Sequence, residues 1–324
     1  PVVFSMMGEI LTASKLSDTK RLKEILAMVK SRLLIRFQSS GHTTAALRAM
    51  SYASPSAKLK DMTNGIEFYR TVAHIEENFE EEKDRLAEIL KNLAEQLFRP
   101  ENMMISYTAS RKGMEGIEDH VEGLKKSLYH GKLAGGACIL HCEKKNEGFK
   151  TASKVQYVAR TGNFIDHGAS YTGALQILKV ILSYDYLWQN IRVKGGAYGC
   201  MCGFGRTGDC FFVSYRDPNL KETIDVFDHA WEYLRDFDAD EREMTKFIIG
   251  TSGDLDAPLS PRMLGRRSFN LYLMGTTFEE VQRLRDERID ATPEDIRAYA
   301  PLFKAVMEQD CLCVVGSEAK IADA

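Results

Sequence analysis

The sequence lacks several features that assign a chain to common protein classes. It has no apolar run of about 18 residues, so we expect no segment to cross a membrane. It has no long basic run, which gives no reason to expect a nucleic-acid partner. The seven cysteines are an odd number without the dense spacing of a secreted disulfide scaffold, which favours a reducing compartment. What remains is an ordinary globular composition, with 44% hydrophobic residues, 27% charged residues and a net charge of -3.

Several catalytic motifs are also missing. The sequence contains no Gly-x-Ser-x-Gly elbow, no glycine-rich phosphate loop and neither orientation of the zinc-binding His-Glu-x-x-His motif. The nearest candidate is His74, which is followed by Glu76 and Glu77, but Asn78 stands where a second ligand would be needed. We therefore predict that His74 is an exposed histidine on an acidic helix and that this chain contributes no metal ligands.

The chain begins at Pro1, without an initiator methionine and without a basic-then-apolar leader. We interpret this start as a cut end, and expect the chain to be part of a longer protein. Its 324 residues are enough for about two domains.

The stretch IRVKGGAYG, residues 191–199, is the most informative part of the chain. It follows an apolar helical run and contains a glycine pair, Gly195 and Gly196, which tolerates the backbone angles of a helix exit. Beyond it, alternating residues, a turn at 206–209 and a second alternating run predict a β-hairpin. The pattern therefore predicts a helix that leads through a glycine hinge into a sheet.

Arg192 and Tyr198 lie on either side of this hinge. An arginine and a phenol in such positions are suited to hold a peptide carbonyl or a carboxylate. The alternative is structural, with Arg192 at a helix C-terminus and Tyr198 half-buried in a strand.

IRVKGGAYG, followed by VSYRDPNL at 213–220, resembles the C-terminal half of the pitrilysin-type zinc metallopeptidases of the insulinase superfamily. The resemblance is strongest to the branch that holds presequence protease and falcilysin. It extends over nearly the whole chain, including SSGHTTAALRAMSYASP at 39–55, VQYVAR at 155–160 and IIGTSGDLDAPLSP at 248–261.

The resemblance implies a metalloendopeptidase that degrades short unfolded peptides in a chamber closed by two halves. Tyr198 would hydrogen-bond the oxyanion of the tetrahedral intermediate, and Arg192 would hold the substrate backbone or a carboxylate. Gly195 and Gly196 would lie along the substrate. Zinc would be the cofactor of the intact enzyme, bound by an inverted His-x-x-Glu-His motif in the N-terminal half, so this chain alone is expected to fold but to be inactive.

Two alternatives from other classes stay open at this point. The first is a catalytically inactive scaffold of the same fold that binds partner proteins. The second is a structural zinc module in which Cys200 and Cys202 meet Cys311 and Cys313, which requires the two strands that carry them to be neighbours.

A loose repeat of helices followed by a strand, over 18–110 and again over 240–316, suggests one and a half copies of an α+β unit. With the resemblance, we expect α+β, two-layer helix-on-sheet sandwich domains of the pitrilysin type, one partial and one complete. The partial third domain would span 1–130, a linker 131–151, and the fourth domain 152–324.

The expected partners are peptide substrates and the N-terminal half of the same protein, with no nucleic acid and no membrane. The full-length protein is expected to be a monomer in the cytoplasm, or in an organellar matrix if a targeting segment lies upstream.

Local patterns also predict several element boundaries. The expected elements that bear on the results below are strands at 103–110, 154–160 and 311–315, a helix at 175–192, a helix from 240 that ends near Gly250, and a helix that begins at Pro293 with Thr292 as its N-cap.

Overall fold

The computed structural model describes residues 2–132 and 135–323. Pro1, Leu133, Ala134 and Ala324 lie outside the described residues, and Leu133 and Ala134 are part of the expected linker. The α-helices are α1 (Val2–Ala13), α2 (Thr19–Ser39), α3 (Gly41–Met50), α4 (Pro55–Asn64), α5 (Ile66–Glu77), α6 (Phe79–Leu97), α7 (Arg111–Met114), α8 (Ile117–Ser127), α9 (Gly173–Ile181), α10 (Lys221–Asp228), α11 (Ala230–Arg235), α12 (Glu241–Leu255), α13 (Pro261–Leu273), α14 (Phe278–Ile289), α15 (Pro293–Arg297), α16 (Ala300–Glu308) and α17 (Glu318–Ala322). A π-helix at Leu182–Lys194 continues α9, and short 3₁₀ helices lie at Pro100–Asn102 and Ile165–His167.

Spatial contacts divide the chain into two compact units. The first contains Pro1–Arg32, Arg70–Ile139 and Pro258–Thr277, and the second contains Leu33–Tyr69, Leu140–Ala257 and Phe278–Ala324. This grouping follows contacts in space, and the sequence-based division at 131–151 stays a prediction.

The first unit is built from helices. Helix α1 approaches α8 so closely that a Cβ atom placed on Gly8 would lie 2.5 Å from Ser127 Oγ. The strand predicted at 103–110 is wrong, because this exposed segment has no regular secondary structure. The residues alternate as in a strand, but a strand is stable only when another strand supplies its hydrogen bonds.

The second unit contains one five-stranded sheet, ordered β1-β5-β2-β4-β3. Its strands are β1 (Asn146–Thr151), β2 (Tyr157–Asn163), β3 (Gly199–Phe204), β4 (Asp209–Tyr215) and β5 (Cys311–Ser317). β1 pairs with β5 in parallel, and the other neighbours are antiparallel. The predicted β3–β4 hairpin and the β5 strand are confirmed. The strand predicted at 154–160 begins later, at Tyr157, and β1 occupies residues 146–151 of the expected linker.

Both faces of this sheet are covered, because side chains alternate along each strand. On β5, Cys313 and Val315 pack on one face together with Ala45 of α3. Val314 points to the opposite face, into a larger core that includes Phe212 of β4. That core is completed by buried apolar side chains of α9, the π-helix, α10, α11, α15 and α16. The helix-on-sheet α+β architecture expected from the sequence is therefore confirmed, with α3 as a further helix on the second face.

Helix ends follow local chemistry with one exception. Thr292 caps α15 in a capping box with Asp295, with Pro293 in the first turn, as predicted. The helix expected to end near Gly250 instead continues to Leu255. A glycine ends a helix when it adopts positive φ, and Gly250 is not among the positive-φ glycines.

Candidate active site

The glycine hinge lies where the π-helix ends and β3 begins. The Gly195 N–H donates to the Asn190 carbonyl at 3.1 Å, across five residues, which is the π-helical spacing. Gly196 has a φ of 77°, a left-handed conformation that glycine adopts without steric cost. A Cβ on Gly195 would lie 2.7 Å from the Ile191 carbonyl oxygen. The predicted break of the helix at this pair is confirmed, and both positions require glycine for a physical reason.

Arg192, in the last turn of the π-helix, folds back over the hinge. Its Nη1 donates to the Tyr198 carbonyl oxygen at 2.8 Å. Its guanidinium carbon lies 4.2 Å from the ring centroid of Trp188 and 5.5 Å from that of Tyr198. Among the described residues, Nε and Nη2 of Arg192 have no hydrogen-bond partner, so these donors are open to a ligand.

Tyr198 immediately precedes β3, and its side chain is 64% exposed. Its backbone N–H is shared between the carbonyl oxygens of Tyr215, at 3.1 Å, and Arg216, at 3.3 Å. Its ring meets the Tyr215 ring edge-on, with centroids 5.7 Å apart. The Tyr198 hydroxyl bonds to no other residue of the described chain. The backbone is therefore fixed while the phenol is free to donate a hydrogen bond.

A buried carboxylate supports the hinge from below. Asp217 is fully buried and accepts hydrogen bonds from the Asn219 N–H at 2.9 Å and the Thr223 hydroxyl at 2.7 Å. Asn219 Nδ2 in turn donates to the Gly195 carbonyl at 2.6 Å. Burial raises the pKa of Asp217. The ion pair between Arg216 and Asp217 that the sequence suggested is wrong, because the Asp217 carboxylate points into the protein towards these partners.

Lys194 lies beside the hinge but is already engaged. Its exposed ammonium donates to Asn190 Oδ1 at 3.1 Å. This contact agrees with the expectation of a solvated lysine at a helix end.

The structure adds residues that sequence reasoning did not single out. Trp188 lies four residues before Arg192, a spacing that places both on one helix face and could have identified it. Tyr215 enters because the β3–β4 register sets Gly199 opposite it. His42 of α3 packs edge-on against Tyr215, with ring centroids 4.8 Å apart, and burial lowers the pKa of His42. No local pattern in the sequence predicts either of these last two contacts.

The described residues do not fit a zinc ion. Within residues 2–132 and 135–323, no group of three or more His, Cys, Asp or Glu side chains could hold a metal. His74 is exposed and lies 3.3 Å from Asn78, while Glu76 and Glu77 bind Lys30.

The four-cysteine zinc module is excluded by the sheet. Two strands separate β3 from β5, and Cys200 and Cys202 face the larger core whereas Cys311 and Cys313 face α3. In the described part of the chain, no helix is both long and apolar enough to span a bilayer.

Comparison with known sequences places this geometry in context. Residues 146–318 match the family described as the PreP C-terminal domain, and residues 1–75 match a family described as associated with M16 peptidases of subfamily C. Protein HypA of Clostridium perfringens is 38% identical over 318 residues, covering 98% of this chain and 32% of that protein. Presequence protease 1 of Arabidopsis thaliana, described as chloroplastic/mitochondrial, is 28% identical over 325 residues, covering 98% of this chain and 30% of that protein. The chain thus spans about a third of the length of these curated relatives.

Solved structures share the fold at low sequence identity. The peptidase M16 inactive domain from Pseudomonas fluorescens matches with a TM-score of 0.58 and 14% identity, covering 97% of this chain and 73% of that one. Pitrilysin matches with a TM-score of 0.56 and 10% identity, covering 95% of this chain and 33% of that one. The expected pitrilysin-type fold is therefore confirmed.

Proposed function

We propose a function for this chain on the premise that it belongs to the PreP C-terminal domain family, as the match over residues 146–318 shows. In this proposal it is the C-terminal portion of a zinc metalloendopeptidase that degrades short unfolded peptides in a chamber closed by two halves. It supplies Arg192 and Tyr198 to the active site, and zinc is bound by the N-terminal half. The observation that carries the proposal is the pairing of a fixed guanidinium with an exposed, unbonded phenol at the hinge.

Tyr198 has the properties of an oxyanion donor. When water adds to a scissile carbonyl, negative charge develops on its oxygen, and a donor aimed at that oxygen stabilises the transition state more than the substrate. A phenol whose backbone is fixed by the Tyr215 and Arg216 carbonyls needs little reorganisation to donate this hydrogen bond. One such donor in a water-excluding site contributes about 3 kcal/mol.

Arg192 has the properties of a substrate clamp. Nη1 is occupied by the Tyr198 carbonyl, which leaves Nη2 and Nε for a peptide carbonyl or a carboxylate. Because the same hydrogen bond ties Arg192 to the residue that carries the phenol, the two groups would meet a substrate in a fixed relative position. Gly195 and Gly196 lack side chains beside them, so an extended peptide can approach the backbone there.

The rest of the proposal concerns partners and location. The partners are peptide substrates and the N-terminal half of the same protein, and the full-length protein acts as a monomer. The cytoplasm or an organellar matrix is the proposed location, and the name of the Arabidopsis relative places that protein in chloroplasts and mitochondria.

A catalytically inactive scaffold is the second candidate. It is favoured by the likeness of this chain to a domain described as inactive. A scaffold needs no oxyanion donor, so the free phenol of Tyr198 argues for the peptidase. Sequencing the remainder of the protein separates the two, since an inverted His-x-x-Glu-His motif is required only by the enzyme.

Peptide cleavage by the full-length protein tests the proposal, with wild type compared with Tyr198→Phe. Removing the hydroxyl should lower kcat about a hundredfold with folding intact. Tyr184→Phe is the matched control, because Tyr184 is 67% exposed, against 64% for Tyr198, and belongs to the π-helix of the same unit. Equal kcat for all three proteins would reject the role of Tyr198, and zinc-dependent cleavage by this chain alone would reject the division of labour between two halves.

A further inference from the structure

Arg216, at the end of β4, has a backbone conformation that its residue type disfavours. Its φ is 49°, in the left-handed region where a side chain clashes with the following carbonyl. In the described chain, the other non-glycine residue with positive φ is Asp310, at 56°. Asp310 is compensated, because its carboxylate binds Arg160 and Asn146. Arg216 invites a different explanation.

Arg216 gains little from its own fold. Its side chain is exposed, and its guanidinium carbon lies 5.5 Å from the ring centroid of Tyr215. Within the ranges the structure describes, its side chain forms no hydrogen bond and no ion pair. Glycine would adopt this φ at no steric cost, so an unpaired arginine here points to a use for its charge.

The position of Arg216 links it to the site. Its carbonyl accepts from the Tyr198 N–H, and the ring beneath it, that of Tyr215, touches the Tyr198 ring. Arg192 lies against the other side of Tyr198. The phenol is thus flanked by two guanidinium groups, each stacked on a tyrosine ring.

The electrostatic balance beside Tyr198 is positive. The neighbouring carboxylate, Asp217, is buried and hydrogen-bonded to Asn219 and Thr223, so it does not pair with Arg216. Lys194 donates to the neutral amide oxygen of Asn190, and its charge adds to the same field. A guanidinium with free donors in such surroundings is matched by a carboxylate, which it binds in a bidentate manner.

We propose that Arg216 is a specificity-determining residue that selects peptides carrying a carboxylate close to the bond held at Tyr198. The carboxylate comes from a C-terminus or from an acidic side chain, since both present the same oxygens. This inference rests on the proposed peptidase site and goes beyond it, because it assigns a substrate class. It also accounts for an unfavourable backbone conformation retained without an internal partner.

Binding of four matched peptides to the full-length protein tests the inference. The peptides share one sequence, with either a free C-terminus or a C-terminal amide and either Glu or Gln near the carboxyl end. Dissociation constants are measured by fluorescence anisotropy with a metal chelator present, so that no peptide is cleaved. Arg216→Gln removes the charge and keeps the backbone, Arg216→Lys keeps the charge, and Arg216→Gly relieves the backbone.

We expect Arg216→Gln and Arg216→Gly to weaken binding about tenfold for peptides that carry the selected carboxylate and to leave the others unchanged. Arg216→Lys should restore most of this loss. A loss confined to free C-termini identifies the terminal carboxylate, and one confined to Glu peptides identifies the side chain. The urea midpoint of Arg216→Gly should equal or exceed that of wild type, which excludes misfolding as the cause.

Equal binding of all four peptides by wild type and Arg216→Gln overturns the inference, and so does a uniform loss for all four. The Tyr198→Phe comparison is separate. If Tyr198→Phe lowers kcat while the Arg216 variants do not discriminate, only this inference fails. If Tyr198→Phe has no effect on kcat, the proposed function fails, and the chelated binding experiment still decides the role of Arg216.

Discussion

At the residue scale, the Arg192 guanidinium is held by its own chain before it meets a ligand. Trp188 supports one side of it at 4.2 Å, and the Tyr198 carbonyl fixes Nη1. A guanidinium held in this way loses less conformational entropy on binding than a free side chain does. The hinge therefore contributes preorganisation as well as donors.

The contrast between a hinge glycine and a helical glycine gives a prediction on stability. Gly196→Ala should lower the free energy of unfolding by about 1–2 kcal/mol, because alanine is strained at a φ of 77°. Gly250→Ala should raise it by about 1 kcal/mol, because Gly250 lies inside α12 and a Cβ there meets open space. Urea denaturation of both variants checks the contrast, and a change of the same sign in both would contradict it.

The site was predictable from the sequence only where it is local. Arg192 and Tyr198 are brought together by the turn between them, which the glycine pair makes readable. Tyr215 and Asn219 join them through strand register and a loop on the far side of the hairpin. Contacts of this kind depend on which strands pair, and composition or periodicity carries no information about that pairing.

At the element scale, the helix before the hinge shows a similar limit. The apolar spacing predicted one helix over 175–192, and the structure has α9 followed by a π-helix. Wide helical turns leave some backbone groups poorly paired, and they are found frequently at functional sites. The sequence shows the helix but not the change in hydrogen-bond spacing, because the same apolar face satisfies both.

A buried ion network joins four elements of the second unit. Arg48 of α3 binds Asp61 of α4 at 2.7 Å, Glu67 of α5 at 3.2 Å and Glu147 of β1 at 2.7 Å. The Tyr52 hydroxyl donates to the same Glu147 carboxylate. Arg48 and Asp61 are almost fully buried, so their charges depend on each other.

Loss of Arg48 should therefore be costly. Arg48→Ala leaves the buried Asp61 carboxylate without its cation and should lower the free energy of unfolding by about 3–5 kcal/mol. Arg283→Ala is the control, because Arg283 is half-exposed in its pair with Glu287 and should cost less than about 1 kcal/mol. Urea midpoints measure both, and similar midpoints for the two variants would show that the network adds nothing.

At the scale of the whole molecule, thiols contribute to both cores. Burial raises the pKa of Cys200 to about 11 and that of Cys202 to about 12, and it raises the pKa of Cys210 and Cys313 as well. Cys138 is exposed. The folded protein therefore binds more thiol protons than the unfolded chain once the pH exceeds about 8.5, the usual pKa of a cysteine.

This difference predicts loss of stability in alkali. The thiols stabilise the folded state fully below about pH 8.5, and this stability is lost as the pH rises towards their folded pKa values. Between about pH 9 and 10, the free energy of unfolding should fall by about 1.4 kcal/mol per pH unit for each buried thiol. Urea titrations at several pH values measure the slope. Cys202→Ala should reduce it by the share of one thiol, and Cys138→Ala should leave it unchanged; identical slopes would refute this origin.

The place of β5 in the sheet has a consequence for how the protein is made. β5 lies between β1 and β2, although it follows all the other strands in the chain. On the ribosome, β1 and β2 therefore wait, with unpaired edges, until residues 311–317 have left the exit tunnel. A nascent chain stalled before Cys311 lacks the strand that joins β1 to the sheet, and it is in this interval that a chaperone would have most to protect.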